Sequence, residues 1–435
     1  MAADAGGGQA WLMDTIAALS SGRLPAAIAV VRVSGPRALA IAAALAGTLP
    51  APRRASLRAL RDEAGALLDR ALVLVFPGPG SSTGEDLVEL HCHGGRAVSA
   101  AVLAALVTAG ARVAEPGEFT RRALANGRID LAQAEGLADL LEAETEAQRR
   151  AALTLSEGRV SAAVRGWMDA IAGLSAQVEA TLDYAEEGDL GAEAALLDRV
   201  CRDAAVLRAE MLRVLAAPPV ERLRDGVRVV LGGPPNSGKS TLLNLLCERE
   251  AAIVSPVSGT TRDRVEVPVQ RDGVAYLLTD TAGLTETADP VERIGVARAG
   301  EAIAGADMLV WLGDVPAPRD DAVWVHARAD LPEREALPLG RTLAVRQDRP
   351  ATVDALWRTI AGRAASLLPA ADDLPLKARA RSACSAAAGE LVLEADPLIA
   401  AEQLRVALRM LGSVLGLDAT EAMLDALFGR FCLGK

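Results

Sequence analysis

The sequence predicts a multidomain α+β and α/β protein in which an all-α region is interrupted by an α/β block. Three observations carry this. Short β-like runs alternate with turns from Ile16 to about Asn126. No proline stands between Pro116 and Pro218, an interval rich in Ala, Leu and Glu at helical spacing. At Asp225 the run GVRVVLGG, hydrophobic and ending in glycines, opens a second strand and helix alternation.

The N-terminal region reads AAIAVVRVSG, ALVLVFPGPGSSTGED and LVELHCHGG as strands and turns, with AVSAAVLAALVTAG as a helix between turns. The first ten or so residues, with Asp4 and a glycine run, are expected to be disordered and carry no basic-then-apolar leader. LAQAEGLADLLEAETEAQRRAALTL then repeats apolar residues at helical period and predicts long helices. The α/β alternation lasts to about Leu368, ADDLP forms a linker, and helical text returns from Leu376 to Leu427. Asp396-Pro397 and Asp418 are the expected helix starts. Two similar helical stretches flanking an α/β block predict a domain inserted into a helical one.

At 435 residues the chain is too long for one ordinary core. Hydrophobic residues make up 51% and aromatics only 3%, so the cores are built from Ala, Leu and Val. A net charge of −11 excludes a general electrostatic coat for nucleic acid, while a local basic patch can still meet a phosphate backbone. The five cysteines are far apart and lack CxxC spacing, which suits a reducing compartment and neither a disulfide frame nor a zinc site. The longest apolar run, Ala97 to Ala109, is broken by Ser99 and Thr108 and is too short to span a bilayer. A cytoplasmic protein without a membrane partner is expected.

GPPNSGKS, Gly233 to Ser240, matches G-x-x-x-x-G-K-[ST] and stands between the β run VRVVL and the apolar helix TLLNLLC. Backbone N–H groups of such a loop cradle phosphates, Lys239 reaches the terminal ones and the Ser240 hydroxyl ligates Mg²⁺. Downstream, SGTTRD offers Thr260 and Thr261, and LLTDTAGL offers Asp280, Thr281, Ala282 and Gly283 at the end of a β run. A second hydroxyl for Mg²⁺, an acid near the metal and a glycine N–H for the γ-phosphate are the parts of a GTPase switch. The TTRD and DTAG pair argues against ATP-type enzymes. Leu284 stands where Ras-like enzymes place a water-orienting Gln, so Glu286, Asp289 or Glu292 must supply that carboxylate, unless each is a solvated surface charge.

HCH does not read as a metal site. In a strand His91 and His93 face one way and Cys92 the other, so the three cannot converge on one ion. The tail FCLGK puts Cys432 at the spacing of a prenylation signal, but Gly434 and Lys435 fit that signal badly.

GGPPNSGKSTLLN, SGTTRD, DTAGL, ERIG and FCLGK, with VRVSG, TGEDLVELHCHGG and RVAEPGEFTRRALANGRIDLAQAE, resemble the MnmE (TrmE) family over nearly the whole chain. These are tRNA-modifying GTPases of the TrmE-Era-EngA-YihA-Septin-like P-loop class. The resemblance implies an N-terminal folate-binding (GcvT-like) α+β domain over 1–128 that also dimerises. It implies a discontinuous all-α helical domain over 129–224 and 371–435, and an inserted Ras-like α/β G domain over 225–370.

The same resemblance implies GTP as substrate and a nucleotide site of Asn236, Ser237, Gly238, Lys239, Ser240 and Thr241 with Ser255, Pro256, Val257, Ser258, Gly259, Thr260 and Thr261. Asp280, Thr281, Ala282, Gly283 and Asp330 complete it. Mg²⁺ falls to Ser240 and Thr261, and K⁺ to Asn236, Ser255, Val257 and Thr260; Glu292 orients water, with Lys239 as its catalytic partner. Arg32, Glu89, Arg128 and Lys435 match positions holding 5-formyl-tetrahydrofolate or a related folate, and Cys432 takes a structural or pocket role. On the residues alone, Arg32 or Arg128 is an ordinary surface charge. The implied partners are a second copy in a homodimer, the FAD-dependent MnmG in a heterotetramer, and tRNA, whose wobble uridine receives a (carboxymethyl)aminomethyl group at C5.

One departure concerns the base. Where the superfamily carries NKxD, this chain has Ala327-Arg328-Ala329-Asp330: the Asp that pairs with guanine N1 and N2 is kept, the Asn is lost and Arg replaces Lys. The later base-contact loop is not recognisable in LAVRQDRPATVDAL. Two other readings stand beside the main one. A ribosome-assembly GTPase of the Era or Der kind requires a basic RNA-binding domain or a second G domain, and neither is legible. A folate-binding scaffold with a decayed nucleotide site is opposed by Lys239, Thr261, Asp280 and Glu292.

Overall fold

The computed structural model describes residues 14–184, 190–247, 251–252, 266–281, 300–334, 337, 341, 343–431 and 434. By contacts the chain divides into two compact units, Met1–Ala138 with Gly412–Lys435, and Asp139–Leu411. This division is coarser than the four segments expected from the sequence and falls within two helices.

In the first unit, strands β1 (Ile16–Leu19), β2 (Ile28–Ser34), β3 (Ser56–Arg61), β4 (Leu67–Phe76), β5 (Leu87–His93) and β6 (Arg112–Val113) form one sheet in the order β3-β4-β5-β2-β1-β6. Neighbours are antiparallel except β1 and β6. Helices α1 (Ala38–Ala46) and α2 (Arg96–Thr108) pack on one face. There Ile41, Leu45, Val102 and Leu106 meet Val31, Val33, Val73 and Leu90, the alternate residues of their strands. The opposite face carries the polar alternates, so Arg32 stands across from Glu89. As the alternation requires, Cys92 is buried while His91 and His93 point away from the core. Burial pushes the Cys92 thiol up to about 12. Among the described residues no group of three or more His, Cys, Asp or Glu could hold a metal.

Beneath the sheet edge lies an ion cluster. Arg122, on α3 (Glu118–Ala125), is fully buried and donates to Asp14, Glu85 and Glu118. Arg112 takes the other oxygen of Asp14 and forks both oxygens of Glu118, sharing Oε1 with Arg122. The C-terminal helix packs here too, its Glu421 and Asp425 pairing with Arg121.

The helices that follow are α4 (Leu131–Glu142), α5 (Glu146–Ser156), α6 (Arg159–Tyr184) and α7 (Leu190–Leu215). Thr145 starts α5 with a capping box shared with Gln148. After the short α8 (Glu221–Asp225) comes a seven-stranded sheet ordered β13-β12-β11-β7-β10-β9-β8. Its members are β7 (Val227–Gly232), β8 (Ala251–Ala252), β9 (Glu266–Arg271), β10 (Val274–Asp280), β11 (Met308–Trp311), β12 (Val323–His326) and β13 (Leu343–Ala344). The strands β13, β12, β11, β7 and β10 run parallel, with β9 and β8 antiparallel at one edge. Helices α9 (Lys239–Cys247) and α10 (Pro350–Leu367) cover it, and Trp357 is fully buried against Tyr276. The α/β alternation expected after Asp225 is present.

The chain closes with α11 (Ala378–Glu390), α12 (Pro397–Leu415) and α13 (Glu421–Phe428). Asp396 caps α12 as expected, its carboxylate accepting from the Leu398 and Ile399 N–H groups. Asp418 does not start a helix. The turn that reverses the chain after Leu415 consumes Gly416 to Asp418, and Thr420 in extended conformation precedes α13. No described helix is long and apolar enough to cross a membrane.

Candidate functional site

The phosphate loop follows β7, the strand where the sheet order switches, with β11 on one side and β10 on the other. In such sheets ligands bind at that point. Lys239, the first residue of α9, is buried and donates its ammonium to the Gly233 and Pro234 carbonyls at 3.0 and 2.9 Å. Burial lowers its pKa, and the Asp280 carboxylate opposes that shift. The Ser240 hydroxyl donates to Asp280 Oδ2 at 2.5 Å, which places two hard oxygen donors together at the loop. Ser237 Oγ is buried within the loop and has no hydrogen-bond partner among the described residues. Thr241 lies exposed in the first turn of α9.

Thr281 follows Asp280 at the end of β10. It is buried, and both its hydroxyl and its N–H donate to the Leu231 carbonyl, at 2.9 and 3.3 Å. It fixes the end of β10 against β7 and so sets Asp280 beside Ser240.

The HARAD segment leaves the end of β12. Arg328 has φ +58° and donates from Nη1 to the Asn236 carbonyl at 3.0 Å, while its stem lies on Gly238. Gly238 has φ +94°, and a Cβ there would stand 3.3 Å from Arg328 Cγ. Arg328 therefore ties the base segment to the phosphate loop. Ala327 is buried in the core, and Asp330 is half-buried.

No sequence signal marks what stands behind this segment. Arg334 donates from Nε to the Ala327 carbonyl at 3.1 Å and pairs with Asp314 through both Nη atoms, at 3.0 and 2.9 Å. Arg341 adds a bond to the same carboxylate at 2.8 Å. The two guanidiniums hold the Asp314 carboxyl well below the usual carboxylate range.

On the first unit's polar sheet face, Arg32 Nε donates to Glu89 Oε1 at 2.8 Å and His91 Nε2 lies 3.1 Å from Glu89 Oε2. Burial by itself raises the Glu89 carboxyl; the bonds from His91 and Arg32 outweigh it and hold the group below its ordinary value. Ser34, two residues beyond Arg32, bonds Thr83 and Glu85, and the exposed Arg128 lays its stem over Gly84 in that same loop. The tail arrives at the neighbouring strand. Gly434, φ +86°, accepts from Ser20 Oγ at 2.7 Å, and a Cβ on it would stand 2.1 Å from the Leu19 carbonyl. Only glycine fits there.

Ser255, Pro256, Val257, Ser258, Gly259, Thr260, Thr261, Ala282, Gly283, Leu284, Glu286, Asp289, Glu292, Cys432 and Lys435 lie outside the described residues.

Two family models match the chain: "GTP-binding protein TrmE N-terminus" over residues 15–128 and "MnmE helical domain" over residues 131–432. The chain is 52% identical over 430 residues to the tRNA modification GTPase MnmE of Rhizorhabdus wittichii, covering 97% of each. It is 52% identical over 428 residues to that of Erythrobacter litoralis, covering 97% of this chain and 100% of the relative. To that of Novosphingobium aromaticivorans it is 49% identical over 440 residues, covering 98% and 100%.

Proposed function

The chain belongs to the MnmE family of tRNA modification GTPases, and we propose that it couples GTP hydrolysis to modification of the wobble uridine of tRNA at C5. It is a GTP-hydrolysing enzyme acting in tRNA modification. The observation that carries the reading is the Ser240–Asp280 pair beside Lys239 at the switch point of the sheet.

Those two oxygens fit Mg²⁺, with Thr261 as a further donor by resemblance; bound there, the ion would offset charge on the phosphate oxygens. Lys239 brings a buried ammonium to the phosphate loop, and the first turn of α9 aims N–H groups at the same anion. Glu292 orients the attacking water, since Leu284 has no hydrogen-bonding side chain. K⁺ takes Asn236, Ser255, Val257 and Thr260, and would supply there the positive charge that an arginine finger supplies elsewhere. Asp330 reads guanine N1–H and the 2-amino group as a charge-assisted acceptor.

The folate site uses Arg32, Glu89, Arg128 and Lys435, and a bound 5-formyl-tetrahydrofolate or relative would supply the one-carbon unit. Its support is the Arg32–Glu89 pair and the docking of Gly434 on the strand beside Arg32's own. The working assembly is a homodimer joined by the FAD-dependent MnmG in a heterotetramer.

Phosphate release from GTP, measured in KCl and in NaCl at equal ionic strength, tests the nucleotide half of this reading. Turnover is expected to require K⁺, and Asn236→Ala is expected to remove most of that stimulation. Equal rates in the two salts defeat the cation assignment.

A further inference from the structure

The loop that carries Asp314 is stapled on both sides. Trp311 Nε1 donates to the Val315 carbonyl at 2.9 Å and Trp324 Nε1 to the Gly313 carbonyl at 2.8 Å. Asp314 is thus held as a fixed point although its side chain is largely exposed. Two guanidiniums converge on it. Arg334 makes a bidentate pair and turns its remaining Nε–H onto the Ala327 carbonyl. Arg341, almost wholly buried, pairs with the same carboxylate, lies over the Trp324 ring at 5.0 Å and approaches His326 Nδ1 at 3.3 Å. His326, also buried, faces the Arg334 carbonyl through Nε2 at 2.7 Å, so Nε2 carries a proton and the Nδ1 side receives from the arginines.

Through Arg334 and Arg341 this network reaches residues 326 and 327, just before Arg328 and Asp330: Arg334 at the Ala327 carbonyl, and both guanidiniums at His326 Nδ1. Ala327 has no side-chain hydrogen bond to give, so its backbone is positioned from behind instead of by its own side chain. On the other side the segment is tied through Arg328 to the phosphate loop. Held at both ends, residues 327–330 have one course, and the Asp330 carboxylate is presented from it.

The geometry points to Arg334, anchored by Asp314 and flanked by Arg341, as a positioning residue for purine selection: it sets the backbone that presents Asp330 to the 2-amino group of guanine. This rests on the reading of Asp330 as the base-contacting carboxylate. Arg334 acts through the Ala327 backbone from behind the segment, so its effect belongs to KM and to base discrimination rather than to kcat. Lysine at 334 cannot reproduce it, because an ammonium is a point donor and cannot form the fork with Asp314 while also reaching the Ala327 carbonyl.

Steady-state hydrolysis of GTP and ITP, which lacks the 2-amino group, reads this out in the full-length protein. In Arg334→Lys and in Asp314→Ala the preference for GTP over ITP in kcat/KM is expected to fall about tenfold, carried by KM for GTP, the scale of one charge-assisted hydrogen bond. Asp314→Ala removes an exposed side chain and keeps the fold testable if the arginine variant is poorly folded. A GTP:ITP preference held at the wild-type value in either folded variant, including one with a lowered melting temperature, overturns the proposal. Asp330→Ala separates the premise from the inference. If it leaves the preference unchanged, the base reading itself fails; if it abolishes the preference while Asp314→Ala does not, only the brace fails.

Discussion

Replacing Arg122 with Met isolates the buried ion cluster of the first unit. Arg122 is fully buried and faces Asp14, Glu85 and Glu118. After the substitution Glu118 keeps the fork from Arg112, and Asp14, partly exposed, keeps Arg112 and water. Glu85 keeps only the Ser34 hydroxyl. The loss therefore concentrates on one mostly shielded carboxylate rather than three. Breaking a buried pair by removing one partner costs about 3–5 kcal/mol, and the retained bonds put this case at about 3 kcal/mol. The pH dependence follows from the wild-type groups. In Asp14 burial raises the pKa, but bonds and charge from Arg112 and Arg122 outweigh it; in Glu118 burial is likewise outweighed by Arg112, the Glu115 N–H and Arg122. Both folded values lie below the unfolded ones, so their stabilisation is complete above about pH 4–4.5 and is lost as pH falls through the folded values. Thermal unfolding of wild type and Arg122→Met at pH 7 and at pH 3 should show a large gap at pH 7 that narrows in acid. A gap below about 1 kcal/mol at pH 7, or one that widens at pH 3, refutes the reasoning.

Glu292→Ala is expected to slow GTP turnover about 10²-fold or more with little change in GTP affinity, as for a lost orienting group; single-turnover rates and nucleotide binding decide it, and a normal rate shifts the role to Glu286 or Asp289. Deleting the last five residues removes Gly434 from its seat on Leu19 and Ser20. Folate affinity, measured by titration calorimetry, is expected to fall while GTP hydrolysis persists; unchanged folate affinity contradicts the assigned tail.

The features legible in the sequence are those written in contiguous residues. GPPNSGKS fell between a strand and a helix because loop, helix start and preceding β run adjoin in the chain. Strand alternation alone put Cys92 in the core and His91 and His93 on the other face. Asp396 capped its helix because capping acts over three residues. What escaped was assembled from distant segments. Asp14, Glu85, Arg112, Glu118 and Arg122 each look like surface charges until the sheet brings them together. Asp314 belongs to the connection between β11 and β12, and Arg334 and Arg341 to that between β12 and β13, with no spacing rule to join them. Thr281 shows the same limit: DTAG fixes its place beside Asp280, but the Leu231 carbonyl on another strand decides where its hydroxyl turns.

The most direct test of the central claim is mass spectrometry of tRNA nucleosides from cells that lack this protein and from the same cells supplied with wild type or with Ser240→Ala. The account predicts that C5-modified wobble uridine disappears without the protein, returns with wild type and stays absent with Ser240→Ala, which removes the hydroxyl that meets Asp280. An unchanged wobble nucleoside in the cells lacking the protein would contradict a role in tRNA modification, and full restoration by Ser240→Ala would contradict its dependence on the phosphate site.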